Sequence, residues 1–291
     1  MELSDLAVFQ AVVEAGGVSR AAEMLHRVPS NITSRIQKLE TELGKQLFIR
    51  EKNRLRISPE GEQLLGYAVK ILALADEAVE QLNLDHPTGR LRVGSMEALA
   101  ASRLSSVLTD YHTDFPDVEL ELKTNPTGLL IDQVISGELD LALVADPPKD
   151  ARLEITPIFS ERLVLVSSRN QAPVSSPQDL SDNPTLLGFS TRCAYRNRLA
   201  DWVQSFDVAP KVVEINSYHA LLNCVTAGMG VGIVPEVLLV HYPFKDGIRT
   251  HPLPDSIADT TTCVIWRKDS AKPSLLKFYH CLLGHSNLAP R

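Results

Sequence analysis

Asn31, Ser34, Arg35 and Lys38 recur at spacings that place them on one face of a helix, and they are the side chains that read a DNA groove. Asn can pair bidentately with adenine and Arg with guanine, while Ser and Lys suit phosphate or mixed contacts. A solvated polar face is the ordinary alternative for any single helix. The setting favours recognition, because another short helix precedes this one across a tight turn. A basic hairpin follows. In Phe48-Ile49-Arg50, the turn Glu51-Lys52-Asn53-Arg54 and Leu55-Arg56-Ile57, apolar and basic residues alternate with period two. Lys52, Arg54 and Arg56 could therefore reach phosphates, although an ordinary charged hairpin would read the same way.

A second group lies where apolar runs end and helical patterns begin, a location that collects ligands in open α/β sheets. Ser95 and the adjoining Met96 follow one run, Thr124, Asn125 and Thr127 another, and Ser190, Thr191, Arg192, Cys193, Tyr195 and Arg196 a third. Each hydroxyl could equally be a plain helix cap. Arg192 and Arg196 could be surface charges or could hold a carboxylate by a bidentate pair. Cys193, at a helix start, could carry a depressed pKa and sense oxidants, or could simply be a small lining residue.

The elements that must position these groups follow from periodicity. Leu3, Leu6, Phe9 and Val13 make an amphipathic helix that Gly16-Gly17 ends, and Ser19 can cap a short helix over 20–26. A third helix starts at Pro29 or Ser30, buries Ile32, Ile36, Leu39 and Leu43, and stops at Gly44. Ser58-Pro59 starts a longer helix in which Leu65, Ala68, Leu72, Ala75, Val79 and Leu82 form a heptad seam. That seam packs on the chain's own domains or, as paired half-sites favour, on a second copy. His86-Pro87-Thr88-Gly89 then marks a hinge.

Beyond it, short apolar runs alternate with helical stretches. Strands are predicted over 91–95, 118–124, 139–145, 163–167, 186–189, 212–215, 231–234 and 262–266, with helices over 98–115, 129–136, 195–206 and 218–227: an α/β domain with mainly parallel strands. Gly228-Met229-Gly230-Val231-Gly232 follows a helix and enters a strand, the reverse of a dinucleotide fingerprint, and reads as a close crossing.

The 291 residues carry a net charge of −7, which looks wrong for a DNA binder until it is divided along the chain. Residues 1–60 are net +1, the rest −8, and 20–56 alone net +5, the footprint of one module that meets phosphate. With 44% hydrophobic residues and no long apolar run, a soluble cytoplasmic protein without membrane contact is expected. Cys193, Cys224, Cys263 and Cys281 are too widely spaced to suggest zinc or a disulfide framework. No G-x-S-x-G, H-E-x-x-H, Walker loop or metal-ligand cluster occurs, so neither enzyme, cofactor nor metal is expected.

The run Ala21-Ala22-Glu23-Met24-Leu25-His26, then Ile36-Gln37-Lys38-Leu39-Glu40, Leu43-Gly44, Leu47-Phe48 and Ser58-Pro59-Glu60-Gly61, resembles the DNA-binding domain of LysR-type transcriptional regulators. The resemblance places Pro29, Ser30, Asn31, Thr33, Ser34 and Arg35 where family members touch DNA; Val28-Pro29 departs from the Ser-Gln pair of many members. It implies an α+β multidomain chain: a winged helix-turn-helix over 1–60, a linker and dimerisation helix over 61–87, and a two-lobed, periplasmic-binding-protein-like effector domain over 88–291. Lobe I would hold about 90–161 and 266–291, lobe II about 162–265, with the three junctions facing one cleft and Ala227 to Pro235 a typical family segment.

Ligand-responsive transcription control is thus the leading expectation, with promoter DNA, a small-molecule effector and a homodimer or homotetramer as partners. The effector is a small carboxylate if Arg192 and Arg196 hold it, or an amine if Asp146 or Glu97 does. An enzyme with a DNA-binding appendage and a purely architectural DNA binder are the other two classes.

Overall fold

The computed structural model describes residues 1–51, 54–80, 82, 87–180, 183–206, 209–240 and 242–288. The chain divides into two compact units, one of Met1–Leu82 with Ser136–Glu138 and one of the remaining residues, and each has its own hydrophobic cluster.

In the first unit, α1 (Leu3–Ala15) stops where Gly16 takes a left-handed φ of 64° and turns its N–H back to Val12 and Val13. α2 (Val18–Met24) begins at once, with Gly17 as its cap. Ser19 therefore sits inside the first turn, because the glycine pair reverses the chain sooner than a Ser19 cap would require. α3 (Pro29–Leu43) has proline at its first position and ends on Gly44. Ile32, Ile36 and Leu39 bury with Leu6, Phe9, Val12, Ala21 and Leu47, whereas Leu43 stays partly exposed. β1 (Phe48–Glu51) and β2 (Arg54–Ile57) pair antiparallel as the wing.

α4 (Pro59–Glu80) is fixed at its start by Ser58, whose hydroxyl accepts the Gly61 N–H at 2.9 Å and donates to the Gln46 carbonyl at 2.7 Å. The heptad seam divides along this helix. Ala68 is buried and Leu65 and Leu72 pack on the first unit's own core, while Val79 is 59% exposed and Leu82, expected on the helix but lying past its end at Glu80, is 85% exposed. The first half of the seam thus packs on the chain's own unit, and its far end is exposed.

The second unit is a nine-stranded sheet with helices α5 (Glu97–Ser102), α6 (Leu104–Asp114), α7 (Thr127–Ser136), α8 (Ala194–Gln204), α9 (Tyr218–Thr226), α10 (Glu236–Val240), α11 (Asp255–Ala258) and α12 (Pro273–Gly284). One half holds β3 (Gly89–Ser95), β4 (Val118–Thr124) and β5 (Leu141–Ala145), all parallel. The other holds β7 (Thr185–Gly188), β8 (Lys211–Glu214) and β9 (Val231–Pro235), also parallel.

Antiparallel strands join the halves, a departure from the mainly parallel expectation. β6 (Leu153–Ser168) runs through both, pairing with β11 (Asp259–Arg267), β9 and β10 (Ile248–His251). The expected lobe limits at 161/162 and 265/266 accordingly fall inside two continuous strands. The helix expected over 98–115 is two, broken at Arg103, which leaves helical geometry as its guanidinium engages Glu161 of β6 and packs over the Phe159 ring at 5.3 Å. The glycine run is a close crossing: a Cβ at Gly230 would overlap the Thr185 carbonyl oxygen.

Candidate functional site

Of the α3 residues expected to touch DNA, Pro29, Ser30, Asn31, Ser34 and Lys38 are exposed. Thr33 is half-buried and spends its hydroxyl on the Pro29 carbonyl at 3.0 Å. Arg35 is held from behind. Its Nη1 donates to Oδ1 of the fully buried Asp5 at 2.7 Å and to the Ser4 hydroxyl at 2.9 Å. Nε and Nη2 bond no other group among the described residues.

Lys38 reaches Glu2 at 2.8 Å and Asp5 at 3.3 Å; the Glu2 hydrogen bond raises its pKa, and Lys38 lowers that of Glu2 in return. Arg27, which the sequence did not single out, donates to the Asn31 carboxamide at 3.3 Å. Arg56 is exposed on β2. Lys52 and the side chain of Arg54 lie outside the described residues.

In the second unit the three strand-to-helix junctions do converge, on a cavity of about 350 Å³. Met96, Thr124, Asn125, Thr127, Ser190, Cys193 and Tyr195, all singled out at the junctions in the sequence, line it, joined by Glu97, Pro126, Leu129, Phe189, Asn216 and Tyr218. Ser95, Thr191, Arg192 and Arg196 do not line it. Ser95 is fully buried and donates its hydroxyl to the Met96 carbonyl at 3.0 Å, and the stem of Arg196 lies against Gly188. Phe189 and Tyr218 form an aromatic pair with centroids 4.7 Å apart, a wall that alternation alone does not reveal.

Hydrogen bonds tie the halves across this cavity. Glu97 at the head of α5 accepts the backbone N–H of Tyr218, the first residue of α9, at 3.2 Å. Arg192 bonds the Asp132 carboxylate and the Gly128 carbonyl of α7, and the Gly128 N–H returns to the Arg192 carbonyl at 3.0 Å. Arg192 is thus committed to protein. So is Asp146, which accepts Arg198 at 2.6 Å and the Thr260 hydroxyl at 2.7 Å.

Of the two readings of Cys193, the depressed pKa is reversed. Burial pushes its thiol up, more than the backbone amides of Arg196 and Tyr195 and the Arg196 charge pull it down. Burial also raises the phenols of Tyr195 and Tyr218, so both stay neutral donors. Glu97 rises by partial burial, opposed by the Tyr218 amide and the His219 charge. Among the described residues no group of three His, Cys, Asp or Glu could hold a metal, and no helix is long and apolar enough to cross a membrane.

The family model described as bacterial regulatory helix-turn-helix protein, lysR family, matches residues 3–62, and that of the LysR substrate binding domain matches 84–287. The chain belongs to the LysR family. It is a DNA-binding transcriptional regulator of the LysR type. The HTH-type transcriptional regulator YusT of Bacillus subtilis is 38% identical over 281 residues, 96% of this chain and 94% of that protein. CzcR of the same species is 35% identical, with 99% of each chain covered.

Among solved structures, a full-length OxyR variant from Pseudomonas aeruginosa aligns with a TM-score of 0.72 at 22% identity, covering 99% of this chain and 96% of that one. Full-length CbnR, solved in complex with its target DNA, gives 0.69 at 23%, covering 98% and 100%. At these identities the two share the LysR fold with this chain.

Proposed function

We propose that this LysR-type regulator reads promoter DNA with α3 and the wing, and that a small molecule seated in the 350 Å³ cavity of the second unit modulates that binding. The observation that carries the effector role is convergence: residues from three separate strand-to-helix junctions, drawn from both halves of the sheet, line one cavity bridged by Glu97–Tyr218 and Arg192–Asp132. A ligand there changes the contacts between the halves and so shifts their relative populations.

On the DNA side, Ser30, Asn31 and Ser34 face the groove beside Pro29 and Thr33, Lys38, Lys52, Arg54 and Arg56 supply phosphate contacts, and Arg35 reads a base edge with its free nitrogens. Asp5 and Ser4 fix the Arg35 guanidinium, so Asp5 is a positioning residue. The exposed Val79 and Leu82 end of the seam pairs two copies, as two half-sites require. The chemistry is binding alone, without turnover, and the setting is the cytoplasm.

The test is promoter binding by the full chain, followed by fluorescence anisotropy at fixed salt while a metabolite library is added. At least one metabolite should alter the affinity, and Ser190→Leu, which intrudes on the cavity, should abolish that response while leaving basal DNA binding intact. A response unchanged in Ser190→Leu would place the effector elsewhere.

A further inference from the structure

We infer that the cavity selects a small cationic amine, paired with the Glu97 carboxylate and seated against the Phe189–Tyr218 aromatic wall. This rests on the reading of the cavity as the effector site and names the ligand class that fits it.

The lining residues contain one carboxyl group, Glu97, and no Lys, Arg or His. The two arginines that sequence placed nearby do not line the space: Arg192 is spent on Asp132 and the Gly128 carbonyl, and Arg196 lies with its stem against Gly188. Glu97 uses Oε1 on the Tyr218 N–H, and Oε2 has no hydrogen-bond partner among the described residues. An ammonium group beside it would offset the loss of solvation that Glu97 suffers here, whereas a carboxylate ligand would meet a like charge and force one of the two to hold a proton.

The remaining walls agree. Phe189, Tyr218 and Tyr195 border the same space, and the face of an aromatic ring attracts a cation. The hydroxyls of Thr124, Thr127 and Ser190 and the amides of Asn125 and Asn216 can accept further N–H bonds. The volume lies at the small end of ligand pockets, which suits an amine with one apolar group better than a long polycation.

Three probes of one shape test this on the full-length protein by calorimetric titration: phenethylamine, phenylacetate and the neutral 2-phenylethanol. Phenethylamine should bind at least about tenfold more tightly than phenylacetate, the scale of one charge-assisted hydrogen bond. Glu97→Gln should erase that advantage and leave 2-phenylethanol unaffected. Because Glu97 also holds Tyr218, Glu97→Asp and the wild-type amine-to-carboxylate ratio serve where the Gln variant folds poorly.

Tighter binding of phenylacetate, an amine advantage that persists in the Gln variant, or no binding by any probe at millimolar concentration overturns the amine assignment. Ser190→Leu separates this from the wider reading. If it abolishes binding of a favoured carboxylate, the cavity remains the effector site and only the ligand class falls. If it leaves phenethylamine binding unchanged, the cavity itself is not the site.

Discussion

Each unit of this regulator buries one aspartate between an arginine and a lysine, and the two triads differ in where their cations go. Asp5 meets Arg35 at 2.7 Å and Lys38 at 3.3 Å, and those cations are 28% and 53% exposed. Asp140 meets Arg92 at 2.9 Å and Lys272 at 3.2 Å, with exposures of 14% and 5%. The second triad staples β3 to the turn before β5 and to the start of α12, and it accepts the Arg92 backbone N–H as well. The first keeps its carboxylate inside and its cations at the surface. One motif encloses its positive ends in the second unit and displays them in the first, where the proposed DNA-reading face lies.

The largest expected effect is at the enclosed triad. Asp140→Asn leaves Arg92 and Lys272 buried without their counter-charge and should cost about 3–5 kcal/mol of the second unit's stability in urea unfolding. The acid limb gives an independent check. Desolvation pushes the Asp140 carboxyl up, but the charges of Arg92 and Lys272 outweigh it and hold its pKa below the ordinary 3.8. A carboxylate lowered on folding contributes stability that is complete above the unfolded value and fades as pH falls through the folded one. Wild type should therefore lose this contribution only below about pH 4, and the Asn variant should lack it at every pH. A cost under about 1 kcal/mol would mean that enclosure is not what distinguishes the two triads.

Arg35→Ala should have an intermediate effect on folding, about 2 kcal/mol, because the Asp5 carboxylate stays buried with only Lys38 beside it. The displayed role predicts a second loss. Affinity should fall by about 1–3 kcal/mol with relaxed preference at one base position. Asp5→Asn should reproduce part of that relaxation although Asp5 touches no DNA, since it frees the guanidinium to wander. Binding across a set of single-base operator variants measures both. Sequence-blind weakening in Arg35→Ala would reduce Arg35 to a prop for α3, and the two triads would then serve the same end.

The helix-turn-helix was legible because its signals are local: the Gly16, Pro29, Gly44 and Ser58-Pro59 boundaries and the Ile32, Ile36, Leu39 stripe all act within a few residues. The parallel strands of the second unit were legible as short apolar runs. β6 was not, because Pro157 and the polar Ser160, Glu161 and Arg162 interrupt its pattern over 16 residues, and only its apolar end from Leu163 was anticipated. At the cavity, the junction rule anticipated Met96, Thr124, Asn125, Thr127, Ser190, Cys193 and Tyr195 as neighbours, but not which charges were already taken. Arg35 meets Asp5 across 30 residues and Arg192 meets Asp132 across 60, separations over which no periodicity carries information. Hence Arg192 looked available for a ligand, and Glu97 was one option among several.

The smallest expected effect closes the series. Arg192 and Asp132 are 49% and 60% exposed, so water competes for both partners and the pair spans the two halves at little cost in desolvation. Arg192→Ala should destabilise the second unit by under about 1 kcal/mol. The backbone bond from Gly128 to the Arg192 carbonyl, at 3.0 Å, survives the substitution and keeps the halves in register. The same variant should nevertheless change affinity at the cavity, because a weak bridge between two arrangements biases their populations even when it adds little to folding. Urea unfolding and calorimetric titration on one preparation give both values. If Arg192→Ala proved as costly to stability as Asp140→Asn, exposure would not rank the charge pairs of this protein, and the contrast between its enclosed and displayed triads would lose its physical basis.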